Sequence, residues 1–224
     1  MKLALFDLDG TLLPTDSDHA FGEFMCATGW VDGEAWRARN QRFFEQYQAG
    51  TLVLADYVAF ATSAWRDRPT AEAEAARERF MREVIGPQIR PVALELVRAH
   101  QAAGDQVAVV TATNEFVTRP IATAFGVETL LAVELERDTE GRVTGAVRGI
   151  PTFREGKVTR VGAWLQAQGR TFADYDDVLF YSDSTNDLPL LEAVPTPVAT
   201  NPTPALRQIA QERGWRIIDL FETP

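Results

Sequence analysis

Lysine is nearly absent from this chain of 224 residues, whose 22 basic residues include only two lysines, Lys2 and Lys157. Basic residues as a class are outnumbered by 32 acidic ones, so the formal net charge is −10. Proteins that bind nucleic acid usually present a basic stripe to the phosphates, and this balance disfavours such a partner. The chain uses arginine for almost every positive charge, yet it has one lysine far from its amino terminus. Lys157 is therefore a candidate functional residue.

Cysteine and long apolar runs are also scarce. Cys26 is the only cysteine, which excludes an intramolecular disulfide bond. The amino terminus carries one lysine and then four apolar residues before Asp7, which does not fit a signal peptide. No uninterrupted apolar run approaches the roughly 18 residues that a membrane span requires. The sequence therefore predicts a soluble cytoplasmic protein without a membrane partner.

The most informative stretch that is present runs from Leu3 through Phe6 into Asp7, Asp9 and Gly10. Four apolar residues before a turn signal are typical of a strand that is buried on both faces. Isolated carboxylates are costly to bury, so we expect both aspartates in an opening at the carboxyl end of this strand, beside a positive group. Open parallel α/β sheets bind their ligands at that edge.

From residue 88 onward, short apolar runs alternate with helical patterns. The pattern predicts strands at 106–110, 128–133, 177–181 and 196–199, a hairpin within 134–150 and an edge strand at 215–219. Such alternation is typical of an α/β fold with a doubly wound, mostly parallel sheet. No G-x-G-x-x-G motif follows the first strand, which disfavours a nicotinamide dinucleotide.

Residues 15–86 differ from the rest because their aromatic and apolar side chains recur at helical spacing and no strand pattern is convincing. We therefore predict an inserted all-helical cap domain at 15–86. The core domain is predicted to comprise 1–14 and 87–224.

A hydroxyl and two backbone amides follow the predicted strand 106–110. The side chain of Thr111 and the N–H groups of Ala112 and Thr113 could bind a phosphoryl oxygen at this strand end. Threonine is common at strand ends, so this signal is weak by itself.

Two further candidate groups follow later in the chain. Lys157 lies at the start of a predicted helix, and its compact ammonium suits a site that holds carboxylates and a phosphate together. Asp183 and Asp187 stand four apart on a turn after strand 177–181, which predicts coordination of a divalent metal ion.

The segment D-L-D-G-T-L at 7–12 resembles the first motif of the haloacid dehalogenase (HAD) superfamily, and the groups above follow in the order of its later motifs. The helical insertion, E-G-K at 155–157 and N-D-L-P-L-L at 186–191 are similar to the phosphoserine-phosphatase-like branch, subfamily IB. Residues 16–19 resemble a bacterial group of that branch that includes histidinol-phosphatase-type members. Ser182 and Ser184 depart from the branch, which commonly has glycine at these positions.

This resemblance implies a phosphatase with a Rossmann-like core and a helical cap. Asp7 would attack phosphorus to form an aspartyl-phosphate, while Asp9 would act as general acid and then general base. Lys157 and Thr111 would hold the phosphoryl oxygens. The resemblance also implies Mg²⁺ as cofactor, held by Asp7, the backbone carbonyl of Asp9, and Asp183, with Asp187 close behind.

The predicted substrate is a small phosphorylated metabolite, and the start of the cap narrows its class. Asp18, His19 and Glu23 leave the catalytic strand for the first cap helix, where His19 and Glu23 share a face. Acidic groups there favour a leaving group with an ammonium or imidazole, such as that of histidinol phosphate.

Several alternatives share these residues. A phosphoserine phosphatase would need an arginine for the substrate carboxylate, and the cap has no clear match. A phosphotransferase would use every group named, whereas a haloacid dehalogenase would need neither the metal nor Asp9 as acid and base. A non-enzymatic phosphate-binding module could dispense with Asp7. The sequence does not specify an oligomeric state.

Overall fold

The computed structural model describes residues 1–221, and its main feature is a six-stranded sheet. The strands are β1 (Leu3–Phe6), β2 (Gln106–Asn114), β3 (Thr129–Val133), β4 (Leu135–Arg137), β5 (Val143–Val147), β6 (Val178–Ser182), β7 (Thr196–Thr200) and β8 (Arg216–Ile218). The sheet has the order β3-β2-β1-β6-β7-β8, and every neighbouring pair is parallel. Strands β4 and β5 form a separate antiparallel hairpin. The predicted α/β fold with a doubly wound parallel sheet is confirmed.

Helices connect the later strands, and several helices lie between β1 and β2. They are α1 (Ser17–Ala27), α2 (Gly33–Gln48), α3 (Leu54–Thr62), α4 (Thr70–Phe80), α5 (Pro91–Ala102), α6 (Glu115–Ala124), α7 (Glu155–Ala167), α8 (Leu188–Ala193) and α9 (Pro204–Arg213). Short 3₁₀ turns occupy Gly86–Gln88, Phe172–Asp174 and Thr185–Asp187. Among residues 1–221, no helix is long and apolar enough to cross a membrane.

Strand β1 lies at the centre of the sheet and is fully buried. Successive side chains of a strand point to opposite faces. Leu3 and Leu5 accordingly join the cluster that packs against α7, α8 and α9, whereas Ala4 and Phe6 join the cluster beneath α5 and α6. Because both faces of β1 pack against apolar clusters, none of its four residues carries a polar side chain. The first charged residue after the strand is Asp7.

The segment 15–86 contains helices α1 to α4, and none of its residues lies in a strand. Phe21 in α1 packs edge-on against Phe80 at the end of α4, with ring centroids 4.9 Å apart. Trp65 stacks on Phe116 of α6 at 4.0 Å. Helices α1 and α4 therefore share a hydrophobic core with the sheet, and Val58 of α3 joins the same cluster.

The end of strand β2 differs from the predicted one. Strand β2 continues to Asn114, although its pairing with β3 shifts between Val110 and Asn114. Asn114 pairs with Val133 through its backbone and caps α6 with its side chain, so the strand and the helix meet without a loop. Helix α4 ends at Phe80 and widens into a π-helical turn over Met81–Ile85.

Candidate active site

Four carboxylates and one ammonium meet where β1 and β6 end. Asp7 and Asp9 follow β1, and Asp183 and Asp187 follow β6, the strand that pairs with β1. Lys157 reaches the same edge from the first turn of α7. Because the two strands are parallel neighbours, their carboxyl ends bring the two aspartate pairs together, as the sequence predicts.

Lys157 connects the two strand ends. Its side chain is 1% exposed, and Nζ lies 2.8 Å from Oδ1 of Asp7 and 2.7 Å from Oδ2 of Asp187. The hydroxyl of Ser182 also donates to Oδ2 of Asp187, at 2.7 Å. Charge-assisted hydrogen bonds of this length fix both carboxylates relative to the ammonium.

One ammonium does not offset the burial of so many carboxylates. Burial raises the pKa of Asp7 to about 7, although Lys157 lowers it, and Asp187 raises it further. Burial opposes the charge of Lys157, yet Asp187 and Asp7 together hold its pKa above the usual value. The lysine is thus firmly cationic, while Asp7 shares it with a second carboxylate and is only partly compensated.

Asp9 has a different set of partners from Asp7. Its Oδ1 accepts a hydrogen bond from the backbone N–H of Ser17 at 2.7 Å, and its Oδ2 accepts one from the hydroxyl of Thr113 at 2.8 Å. Burial and the nearby charge of Asp16 raise the pKa of Asp9 to about 7. A carboxyl group with this pKa can give and take a proton near neutral pH.

Asp183 lies against the backbone of Gly10. A Cβ atom at Gly10 would stand 2.4 Å from Oδ2 of Asp183, and Gly10 has a φ of +75°, so only glycine fits here. Burial raises the pKa of Asp183 well above its usual value, and Asp7 and Asp187 raise it further.

These donors fit a hard divalent cation. Asp7 and Asp183 are poorly compensated carboxylates, and the close approach at Gly10 brings the carboxylate of Asp183 onto the loop that carries Asp9. Oxygen donors with excess negative charge suit Mg²⁺. No three His, Cys, Asp or Glu side chains among residues 1–221 form a ready-made metal site. The expected ligands are the carboxylates of Asp7 and Asp183 and the backbone carbonyl of Asp9, and the carboxylate of Asp187, predicted close behind them, bonds Lys157 and Ser182.

Thr111 and its neighbours line the pocket beside Asp7. The hydroxyl oxygen of Thr111 accepts from the backbone N–H of Thr113 at 3.1 Å, which leaves the hydroxyl proton of Thr111 available for another acceptor. The backbone N–H of Thr113, predicted to donate to phosphate, therefore already donates to the Thr111 hydroxyl. The hydroxyl of Thr113 donates to Asp9. Ala112 remains in the pocket wall.

Helices α1 to α3 close a small pocket over these groups. Its aromatic walls are Phe43, Phe44, Tyr47 and Tyr57, and its polar wall includes Asp16, Asp18 and His19. Its volume is about 30 Å³, which is room for about two water molecules. A second cavity of about 650 Å³ shares Asp9 and Tyr47 with it and is lined by Asp183 as well.

The three cap residues predicted to contact substrate lie in different surroundings. Asp18 is buried in the pocket wall, where Oδ1 accepts from Nδ2 of Asn114 at 3.1 Å, and burial raises its pKa to about 8. His19 lines the pocket and stacks on Phe44, and burial lowers its pKa. Glu23 is absent from the walls of both cavities and instead accepts from Nε of Arg37 at 2.7 Å.

Several residues of the site escaped the sequence analysis. Asn114, Tyr47 and Tyr57 were not singled out there, and Ser182 appeared only as a departure from the branch. In the structure, the Ser182 hydroxyl supports Asp187, so the departure adds a hydrogen bond at the site. Position was an available signal for Ser182, which directly follows the predicted strand 177–181, whereas Asn114 lies four residues beyond the predicted end of its strand.

Comparisons with known proteins agree with this geometry. The profile of the haloacid dehalogenase-like hydrolase family matches residues 4–192. The chain is 41% identical over 218 residues to a histidinol-phosphatase of Neisseria meningitidis serogroup C, covering 97% of this chain and 98% of that protein.

Solved structures give the same fold. A crystal structure from Bordetella pertussis Tohama I superposes with a TM-score of 0.93 at 50% identity and covers 98% of this chain and 99% of that one. A substrate-bound phosphoserine phosphatase superposes with a TM-score of 0.67 at 20% identity, over 98% of this chain and 93% of that one, which shows a shared fold. The predicted class of enzyme, a phosphatase, is confirmed by the family and the histidinol-phosphatase relative. With its profile match over most of its length and a relative at 41% identity, the chain belongs to the haloacid dehalogenase-like hydrolase family.

Proposed function

We propose that this protein hydrolyses a small phosphomonoester in two steps, through an aspartyl-phosphate on Asp7. The observation that carries the proposal is the arrangement of two neighbouring carboxylates with different partners. Asp7 is held by Lys157 at 2.8 Å, whereas Asp9 is held by Thr113 and the amide of Ser17. One carboxylate is thus fixed as a nucleophile and the other is free to exchange a proton.

In the first step, an oxygen of Asp7 attacks phosphorus and the bond to the leaving alkoxide breaks. Asp9 gives its proton to that alkoxide, so the alcohol leaves neutral. In the second step Asp9, now a carboxylate, takes a proton from water as the water attacks phosphorus, and Asp7 is released with inorganic phosphate. The pKa of Asp9, raised by burial and Asp16 to about 7, suits both roles.

Lys157 and Thr111 act on the phosphoryl oxygens. The ammonium of Lys157 offsets negative charge that spreads over these oxygens in the transition state, and the free hydroxyl proton of Thr111 can bond one of them. Asp7, Asp183 and the backbone carbonyl of Asp9 would hold Mg²⁺, with Asp187 behind them. When bound, that ion supplies positive charge that lets an anionic substrate approach these carboxylates.

We propose histidinol phosphate as the substrate, because the pocket suits a cationic leaving group. Aromatic rings of Phe43, Phe44 and Tyr57 line the same pocket as the carboxyl groups of Asp16 and Asp18. A cation is attracted both to aromatic faces and to carboxylates. No lysine or arginine lines this pocket among residues 1–221, which disfavours phosphoserine, whose carboxylate would lack a cationic partner. The relationship to a histidinol-phosphatase supports the same substrate.

The nucleophile is tested by Asp7→Asn, which should leave no measurable phosphate release while the protein stays folded. Asp32→Asn is a matched control, because Asp32 is exposed and its side chain makes no helix-capping hydrogen bond. Mass spectrometry of acid-quenched enzyme should find phosphate on the peptide that contains Asp7. A phosphoryl group trapped elsewhere would overturn the proposed nucleophile.

The substrate is tested by kcat/KM for histidinol phosphate, phosphoserine and a neutral sugar phosphate, with Mg²⁺ present. Histidinol phosphate should be preferred, and Asp18→Asn should reduce its kcat/KM more than that of the sugar phosphate. Glu23→Gln removes a carboxylate outside the pocket and should change the two substrates alike. A preference for phosphoserine or the sugar phosphate would contradict the proposal. Adding an alcohol acceptor and assaying for a new phosphomonoester distinguishes hydrolysis from phosphotransfer.

A further inference from the structure

A third cavity lies beside α4, between the helical segment and the core, and its lining is rich in arginine. Its volume is about 450 Å³, within the range of small-molecule sites. Arg68 and Arg77 reach it from the helical segment, whereas Arg119 on α6 and Arg137 on β4 reach it from the core. The cavity shares no lining residue with the pocket around Asp7.

The charge of this cavity is opposite to that of the chain. Its lining includes seven arginines, the others being Arg66, Arg142 and Arg148, against two acidic residues, Glu74 and Glu115. The chain as a whole carries a formal net charge of −10. So many like charges around one opening repel one another, and this repulsion favours an anion between them.

Only some of these arginines are neutralised within the chain. Arg142 pairs with Asp138 at 2.9 Å and Arg148 pairs with Glu134. Arg66 lies 4.0 Å from the carboxylate of Asp67. In the part of the chain that the structure describes, no carboxylate lies within 4.0 Å of the basic groups of the other four, which are Arg68, Arg77, Arg119 and Arg137. Their positive charge is therefore available to a ligand.

Arg77 adds an observation that points to a missing partner. Its Nη1 donates to the backbone carbonyl of Phe116 at 3.3 Å, and its guanidinium lies 4.6 Å from the centre of that ring. Its Nε is buried and has no hydrogen-bond acceptor among the described residues. A buried charged donor without a partner is costly, so an acceptor at this place would be stabilising.

We propose that this cavity binds a small polyanion with two or more phosphate groups. Guanidinium groups bind phosphate oxygens with paired hydrogen bonds, and four unpaired guanidinium groups match the charge of a di- or triphosphate. The concave shape and limited volume favour a compact ligand, because the acidic surface elsewhere repels an extended polyanion such as a nucleic acid. A bound ligand would contact both the helical segment and the core.

Isothermal titration calorimetry with inorganic tripolyphosphate tests this site. The buffer contains EDTA, so that the carboxylates at Asp7 and Asp9 repel the probe and the active site stays silent. The pocket variant is Arg119→Gln with Arg137→Gln, because these exposed arginines donate only to the backbone carbonyls of Glu128 and Gly141. The control is Arg42→Gln with Arg98→Gln, which removes the same charge from exposed sites outside the cavity.

The proposal expects saturable binding of one tripolyphosphate per chain that weakens with added salt. The pocket variant should raise Kd at least about tenfold, and the control variant less than about twofold. Equal loss in both variants would mean that general charge, and not the cavity, attracts the probe, and would overturn the site. Absence of binding to the wild-type protein below about 1 mM would overturn it as well. Because the measurement needs no turnover, it is independent of the proposed phosphatase reaction.

Discussion

Replacing Lys157 with methionine should destabilise the protein far more than replacing its only other lysine. The variant Lys157→Met keeps a long side chain but removes both charge-assisted hydrogen bonds, to Asp7 at 2.8 Å and to Asp187 at 2.7 Å. Each carboxylate is only 3% exposed, so water cannot take the place of the ammonium. Removing one partner of a buried ion pair costs ~3–5 kcal/mol, because the remaining charge is left uncompensated.

The matched control is Lys2→Met. The side chain of Lys2 is 49% exposed, and its ammonium lies 3.7 Å from Asp177. Surface pairs of this kind contribute ~0–1 kcal/mol. The two variants make the same chemical change, and the difference between them isolates the effect of burial.

The destabilisation should also grow with pH. Burial raises the pKa of Asp7 from 3.8 to about 7, so the folded protein binds this proton more tightly than the unfolded chain does. The contribution of Asp7 to stability is therefore greatest below pH 3.8 and is lost as the pH rises to about 7. Lys157 lowers that pKa, so its removal raises the pKa further and extends the loss to higher pH.

Urea denaturation of both variants and the wild type, in EDTA, measures these effects at about pH 5 and about pH 9. Lys157→Met should lie closer to the wild type at the lower pH, where Asp7 is protonated in both proteins. Equal unfolding free energies for the two lysine variants would refute the argument that Lys157 compensates buried charge. A loss that did not change with pH would refute the part that rests on Asp7.

Three further predictions concern Gly10, Thr113 and the segment 15–86. Gly10→Ala should raise the Mg²⁺ concentration for half-maximal activity roughly tenfold, because its Cβ meets Asp183, whereas Gly141→Ala has a similar positive φ but no atom within 4 Å and should not. Thr113→Val should lower kcat about tenfold with little change in KM, since one hydrogen bond to Asp9, the proposed general acid, is lost, and Thr113→Ser should restore it. Limited proteolysis should cut near the ends of 15–86 if this segment is a mobile cap, and first cleavage within the core strands, identified by mass spectrometry, would contradict that.

The parallel sheet and the grouping of its polar residues were predictable because both follow from local patterns. A buried strand is recognisable from four apolar residues, and the carboxyl ends of parallel neighbours must meet. Asp7, Lys157 and Asp183 therefore come together as expected. The hydroxyl of Thr113 was harder to assign, because its direction depends on the irregular pairing of β2 with β3 beyond Val110.

The cap residues show where periodicity is insufficient. His19 and Glu23 were expected to face the site together because residues four apart share a helical face. Four residues also advance ~6 Å along the helix, so Glu23 lies farther from the strand ends than His19. There it meets Arg37 of α2, while His19 packs against Phe44. The position of α2 depends on tertiary packing, and no pattern within α1 reports it.

The size of the pocket bears on how a substrate reaches Asp7. A volume of about 30 Å³ cannot hold the leaving group of a phosphorylated metabolite, whereas the adjoining cavity of about 650 Å³, lined by Asp9, Asp16 and Asp183, has room for one. Two hydrogen bonds join the end of α2 to the core: Nδ2 of Asn186 donates to the carbonyl of Tyr47 at 3.0 Å, and Arg154 donates to the carbonyl of Gly50. Asn186 directly precedes Asp187 in the chain, and Arg154 stands three residues before Lys157. These hydrogen bonds keep α2 against the proposed catalytic groups, where it would help to exclude water while Asp7 carries the phosphoryl group.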